Sequence, residues 1–431
     1  MASGTYRARS VKGMRDLLPA ETAVWARVEA TARSVFARYG FAEIRTPVVE
    51  ETELFVRGVG EATDIVGKEM YTFADKHGKS LALRPESTAS VARAFAEHGM
   101  REWPQPVRLF YIGPQFRYER PQRGRYRQFW QIGAELLGDP GPWSDVEIVL
   151  LLMSFFGELG FRDLKALVNT VGDAESRQRY RERLLAYLAP RAEQLGEDSR
   201  RRLETNPLRI LDTKSPAEIA LLENAPRLEE CLSAASASHF RDVLAGLERC
   251  GVEVEVSERL VRGLDYYTQT VFEIVSPGLG AQNAIVGGGR YDQLVEEVGG
   301  PPTPAIGFAI GLDRLIEILP EETRAGAARE PVFYAVAVGD TSPLELLRLA
   351  EEMRSQTLTV IPELASSSMR AALRRADKLG VDYVALLGAS ELENGEVTIK
   401  DYRSGDQVSL PRGATLAAEI GRWRQGTRGA T

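Results

Sequence analysis

The sequence predicts an α+β domain that carries a helical insertion and is followed by a smaller, separate α/β domain. Extended patterns lie on both sides of a charge-rich stretch of helical pattern, about Asp173 to Cys250. Pro320 to Pro331 is rich in Glu, Arg, Ala and Gly and lacks apolar periodicity, which marks a boundary. Past that boundary, strand and helix patterns alternate, as in an α/β unit. The expected division is residues 1–325, with the insertion at about 173–250, and then residues 331–431. For a chain of 431 residues, two or three domains agree with the usual size of roughly 100–200 residues each.

Each element has its own signal. Val24, Trp25, Val28, Ala32, Val35, Phe36 and Tyr39 form a helical stripe that Gly40 stops. Phe41 to Val49 reads as a strand interrupted by Pro47, so it lies at an edge or bends there. Val107 to Gly138 reads as two extended runs flanking an Arg-rich segment, Arg120 to Arg127. Gln269 to Val275 is again extended, a Gly-rich turn is expected at Gly287 to Gly289, and Thr303 to Leu319 passes from strand into helix. Beyond the boundary come strand Val332–Val338, helix Pro343–Ser355, strand Leu358–Ile361, helix Ser367–Leu379 and strand Tyr383–Leu387. A hairpin from Val397 to Leu410 and a last helix near Thr415 to Trp423 complete the chain.

Composition narrows the function. A net charge of −7 argues against a protein that coats nucleic acid indiscriminately, although local basic clusters still set the field at a site. The two cysteines, Cys231 and Cys250, and three histidines, His77, His98 and His239, form neither C-x-x-C nor H-E-x-x-H, so no protein-bound metal is expected. So few thiols in so long a chain exclude a disulfide framework and fit a reducing compartment. Met1 to Lys12 has Arg7 and Arg9 but no apolar run behind them, and no membrane-spanning segment follows. A soluble, cytoplasmic protein is expected, with no membrane partner.

Two glycine motifs can be weighed at once. Gly78-Lys79-Ser80 resembles the end of a phosphate-binding loop, but Phe73 stands where the first glycine is required. Gly287-Gly288-Gly289 lacks dinucleotide-fold spacing; it is either a tight turn or a close approach of backbone to a ligand.

The informative segment is Phe116-Arg117-Tyr118-Glu119, a basic loop, then Arg127-Gln128-Phe129-Trp130-Gln131-Ile132-Gly133-Ala134-Glu135. Alternate residues of a strand share a face, so Phe129, Gln131, Gly133 and Glu135 line one side. An aromatic ring, an amide, bare backbone and a carboxylate together suit a planar base beside a small polar substrate. Opposed arginines suit a phosphate. The bland alternative is a solvated Arg-Glu hairpin.

Here the chain resembles the class II aminoacyl-tRNA synthetases. Arg117, Glu119, the loop, Arg127, Phe129 and Glu135 look like their second signature motif. Gly307-Phe308-Ala309-Ile310-Gly311-Leu312-Asp313-Arg314 looks like the third, and the Val24 to Tyr39 helix with the Pro47 strand like the first, which supports dimerisation in this class. Leu83-Arg84-Pro85-Glu86-Ser87-Thr88, Leu260-Val261-Arg262-Gly263-Leu264-Asp265-Tyr266-Tyr267-Thr268 and Gly287-Gly288-Gly289-Arg290-Tyr291-Asp292 narrow the resemblance to the histidyl-tRNA synthetase family. It extends from Lys12-Gly13-Met14-Arg15-Asp16 to about Leu410, more loosely in the insertion and the C-terminal domain.

The resemblance implies a catalytic domain on an antiparallel sheet, an α/β anticodon-binding domain, a homodimer and tRNA(His) as partner. It implies histidine activation with ATP and its accompanying Mg2+, then transfer to the tRNA 3′ end. Arg117, Arg262 and Arg314 are the implied catalytic residues, with Glu119 and Phe129 also at ATP. Glu86, Thr88, Arg117, Gln131, Glu135, Arg262, Tyr266, Tyr267 and Tyr291 are implied to bind histidine. Gln122, Arg123 and Arg125 would meet the acceptor end, unless they form a merely solvated loop. Arg177, Arg179, Arg181 and Arg183 either brace the acceptor stem or form a solvated face, and Arg370, Arg374, Arg375 and Lys378 suit an RNA-facing helix. The rival is a synthetase-like regulatory subunit of ATP phosphoribosyltransferase, which usually lacks parts of these signatures and the last domain.

Overall fold

The computed structural model describes residues 7–60, 63, 65–120, 124–205, 207–213, 215–258, 260, 264, 266–276, 284–325, 330–365 and 368–428. The chain divides into two compact units, Met1–Ala327 and Ala328–Thr431.

The first unit is built on an eight-stranded sheet. Its strand order is Ala42–Glu43, Val107–Phe116, Gln128–Leu137, Ala305–Gly311, Ala284–Arg290, Thr268–Val275, Lys165–Thr170, Val254–Val256. The outermost pair at each end is parallel and every pair between is antiparallel. Along Gln128–Leu137, Ile132, Ala134 and Leu136 face a core built with the helices Pro19–Arg38, Pro142–Glu158 and Ala234–Arg249. Those helices contribute Val28, Phe36, Ile148, Leu152, Phe155, Val243 and Leu247, and each such side chain stabilises the fold by about 1.5–3 kcal/mol. The period-2 alternation leaves the opposite face of the strand to the site.

Pro47 lies where the chain changes sheets. Ala42–Glu43 runs along the edge of the large sheet, and Val49–Glu51 pairs with Ser80–Leu83 in a separate three-stranded sheet. Residues 174–231 hold a small core of their own, centred on Tyr180, Leu184, Leu188, Ile210 and Cys231. Asp173 caps the first helix of that insertion, Ala174–Leu188, by accepting a 2.8 Å bond from the Ser176 amide.

The second unit is a five-stranded sheet ordered Thr359–Pro362, Val332–Ala337, Tyr383–Leu387, Glu396–Asp401, Gln407–Pro411. The first three strands are parallel and the last two join antiparallel. Helix Pro343–Arg354 packs Leu346, Leu349 and Met353 into one cluster, while Met369–Leu379 packs Ala372 and Ala376 into another. Among the described residues, no helix is long and apolar enough to cross a membrane.

Candidate active site

Glycine opens the sheet face away from the main helices. A Cβ on Gly133 would stand 2.3 Å from the Tyr111 ring, and one on Gly307 would stand 1.7 Å from a Glu135 carboxylate oxygen. The Gly287–Gly289 run is no turn: it lies within strand Ala284–Arg290. A Cβ at Gly289 would meet the Tyr267 ring at 2.8 Å on this face, and one at Gly288 would meet the Gly307 carbonyl at 2.4 Å and the Phe272 ring at 2.5 Å on the helix-packed face. Strands of glycine pack this closely because they carry no side chains there.

Two adjoining cavities result. The inner one, about 210 Å³, is lined by Glu86, Thr88, Arg117, Gln131, Glu135, Tyr266, Tyr267 and Tyr291, with Gly287 and Gly307 as bare backbone. The outer one, about 410 Å³, is lined by Arg117, Glu119, Arg125, Tyr126, Phe129, Gln131, Glu273 and Arg314. Arg117, Gln131, Gly287 and Ala309 belong to both, so the two spaces meet there. The structure thus brings together from distant segments every residue expected at histidine or ATP that it describes, with Arg125 beside them. Gln122, Arg123 and Arg262 lie outside the described residues.

The inner cavity offers buried carboxyl and amide acceptors to a small ligand rich in hydrogen-bond donors. Glu135 is fully buried, and burial pushes its carboxyl up to about 8 despite hydrogen bonds from Tyr291 Oη at 2.5 Å and Thr88 Oγ1 at 2.8 Å. Burial also raises Glu86, whose two oxygens accept from the Thr88 and Ala89 amides at 2.6 and 2.9 Å, at the start of helix Thr88–Glu97. Gln131 presents a buried Oε1 that accepts nothing from the described residues. Such an acceptor gains a hydrogen bond from any donor that enters. Tyr266 stands between two further rings, with centroids 4.8 Å from Tyr267 and 5.6 Å from Tyr291.

The outer cavity has the opposite character. Arg117 donates Nε to the Pro85 carbonyl at 2.9 Å, and its guanidinium carbon lies 5.3 Å from the Phe129 ring centroid. Arg314 comes from the first turn of helix Leu312–Ile318, and Arg125 pairs with Glu119 at 3.6 Å. An aromatic face in a cavity lined by guanidinium groups suits a purine nucleotide.

Several supports gave no separable sequence signal. Buried Arg290 bonds Asp145 at 2.7 and 2.9 Å and the Asp139 and Gly141 carbonyls at 2.9 and 2.8 Å, so it holds the start of helix Pro142–Glu158. His239 meets the same Asp145 at 2.7 Å. In the insertion, Arg177 bonds the Tyr267 carbonyl at 3.0 Å, Arg179 pairs with Glu175 at 3.6 Å, and Arg183 pairs with Glu230 at 2.7 Å. In the C-terminal unit, Arg375 pairs with Glu363.

Comparison with known proteins agrees with this geometry. Residues 13–315 match the family model for histidyl-tRNA synthetase, and residues 335–418 match the anticodon-binding domain. The histidine–tRNA ligase of Thermosynechococcus vestitus is 46% identical over 413 residues, covering 96% of each chain. The apo histidyl-tRNA synthetase of S. aureus superposes with a TM-score of 0.79 at 32% identity, covering 96% of this chain and 99% of that one. A Bacillus halodurans chain described as an ATP phosphoribosyltransferase regulatory subunit/histidyl-tRNA synthetase shares the fold at a TM-score of 0.65, covering 90% of this chain and 100% of that one, but is only 22% identical. Near-full-length identity therefore favours the ligase over the regulatory subunit, and the chain belongs to the histidyl-tRNA synthetase family of aminoacyl-tRNA ligases.

Proposed function

We propose that this site joins histidine to ATP as histidyl-adenylate, releasing pyrophosphate, and then passes histidine to the 3′ end of tRNA(His), releasing AMP. The observation that carries the reading is the junction of an acid-and-tyrosine cavity with an arginine-lined one across Arg117 and Gln131. An amino acid in the inner space points its carboxylate toward the α-phosphate of a nucleotide in the outer space. The carboxylate oxygen attacks phosphorus, the bond to pyrophosphate breaks in line, and no protein nucleophile is required.

Glu86, Thr88 and Gln131 take the α-ammonium, and Glu135, Tyr266, Tyr267 and Tyr291 read the imidazole. A pocket that must hydrogen-bond its ligand rejects analogues without those groups by about 10⁴–10⁵-fold. Arg117 bridges the substrate carboxylate and α-phosphate, Arg262 approaches the same phosphate from the other side, and Arg314 holds the outer phosphates. Phe129 stacks on adenine with Glu119 nearby. Gln122, Arg123 and Arg125 meet the acceptor end.

The carboxylates of Glu119 and Glu273 in the outer cavity fit Mg2+ carried in on the triphosphate, which typically keeps mainly phosphate and water ligands. The ion offsets phosphate charge. We further assign residues 1–325 to catalysis and 331–431 to anticodon binding, and read the protein as a cytoplasmic homodimer paired through the Pro19–Arg38 helix and the Pro47 segment.

Histidine-dependent exchange of labelled pyrophosphate into ATP tests the reading, with other amino acids as controls. Exchange with histidine alone, mostly lost in Arg262→Ala, is the expected result. Histidine binding without exchange overturns it in favour of a regulatory role.

A further inference from the structure

The N-terminal motif Lys12-Gly13-Met14-Arg15-Asp16 contributes nothing to either cavity wall, yet it is tied to both sides of the outer one. The Met14 amide bonds the Val11 carbonyl at 2.9 Å, closing a turn in which Gly13 has φ +86°. That conformation at the third turn position favours glycine. The turn directs the Gly13 carbonyl to the Arg127 amide at 2.7 Å. The Arg127 carbonyl in turn accepts the Arg117 amide at 2.9 Å, so one end of the turn anchors the strand pair that presents Arg117.

Two residues on, Arg15 reaches the other side. Its Nη2 pairs with Asp313 at 3.3 Å, and its guanidinium carbon lies 4.7 Å from the Tyr126 ring centroid. Asp313 is buried, precedes Arg314 in helix Leu312–Ile318, and accepts the Trp130 amide at 3.0 Å through its other oxygen. One carboxylate thereby joins the N-terminal turn, strand Gln128–Leu137 and the helix that carries Arg314.

We infer that the Gly13–Arg15 turn is a strap that sets the spacing of Arg117 and Arg314, making Arg15 and Asp313 positioning residues for the nucleoside triphosphate. This rests on the proposed ATP site. Neither residue lines the inner cavity, so the strap acts chiefly on nucleotide and reaches the amino acid only through Arg117, which both cavities share. Simple structural support would instead weaken both substrates equally, or melt the protein.

The test is steady-state pyrophosphate exchange by the full-length chain, with ATP and histidine varied separately. Arg15→Ala should raise the KM for ATP by about 10–100-fold, the scale on which misplaced groups act. The KM for histidine should rise less, by no more than about fivefold through the shared Arg117, and Arg15→Lys should recover part of the loss. Asp313→Asn, which retains an acceptor for the Trp130 amide, should reproduce the ATP effect and serves if Arg15→Ala fails to fold. An unchanged KM for ATP in folded variants, or equal rises for both substrates, overturns the strap. Absence of exchange in the unaltered protein instead overturns the ATP site itself.

Discussion

The Tyr291 hydroxyl donates a 2.5 Å hydrogen bond to Glu135, a residue 156 positions earlier in the chain. Both side chains are buried, and Thr88 binds the other oxygen of the same carboxylate. Three separate segments thus meet on one acidic group. Its place beneath the inner cavity makes it the point from which the pocket's chemistry can be tested.

Glu135→Gln should separate charge from shape. Measured above pH 8, where Glu135 is ionised, the KM for histidine in pyrophosphate exchange should rise by about 10–100-fold, the worth of a hydrogen bond to a charged group, while that for ATP changes little. Equal rises for both substrates would remove Glu135 from histidine recognition.

The same variant tests a pH effect. Burial raises Glu135 from an ordinary carboxyl value of 4.5 to about 8 in the folded protein. Between those values the folded state holds more protons than the unfolded one, so this group makes stability fall as pH rises from about 4.5 to 8. Glu86 is raised in the same direction. Urea denaturation of the ligand-free protein should therefore show a shallower decline over this window in Glu135→Gln. Parallel curves for the two proteins would contradict the raised value.

Gly307→Ala should damage the pocket from its floor. The new methyl would stand 1.7 Å from a Glu135 oxygen and 2.6 Å from the Ala134 carbonyl, so carboxylate or backbone must shift. A loss of histidine-dependent exchange on the order of 100-fold is expected. Activity within twofold of the unaltered protein would mean the strands part without cost.

Asp145→Ala should act through stability. It leaves buried Arg290, whose side chain is 1% exposed, with Asp292 at 3.2 Å as its remaining carboxylate, at an expected cost of about 3 kcal/mol in chemical denaturation, the low end for a broken buried pair. Arg290 adjoins Tyr291 in sequence, so histidine affinity should fall as well. A stability change below about 1 kcal/mol would show that Asp292 by itself satisfies the Arg290 charge.

Gln269 carries φ +46° at a register shift between Thr268–Val275 and Ala284–Arg290, two residues past Tyr267. Gln269→Gly should leave activity intact and alter stability by no more than about 1 kcal/mol, since relief of strain and greater chain freedom oppose one another. Gln269→Val should cost about 1–3 kcal/mol, because a branched side chain resists this conformation. Equal melting curves for the two variants would refute a strained site.

Much of this was legible before folding. Period-2 alternation put Phe129, Gln131, Gly133 and Glu135 on one face, and the helical stripe from Val24 to Tyr39 matches the buried residues Trp25, Val28, Ala32, Val35 and Phe36. The proline at 47 signalled a break that proved to be passage between two sheets. Those signals are local, since each follows from backbone geometry over a few residues. The glycine run at Gly287–Gly289 misled because its cause is remote: the Gly307 carbonyl and the Phe272 and Tyr267 rings occupy the space its side chains would need. Arg290 and Asp145 look alike on paper to any surface ion pair, 145 positions apart.

The sequence by itself determined most element types, the family signatures and the residue kinds available for chemistry, because these depend on short-range pattern. Only the tertiary structure decided that Glu86, Glu135 and Tyr291 share one cavity, that Arg117 and Arg314 line another, and that the cavities meet at Gln131. Burial, and with it the upward shift of Glu135, arises when strands distant in the chain close over a carboxylate and exclude water. Local pattern does not contain that event.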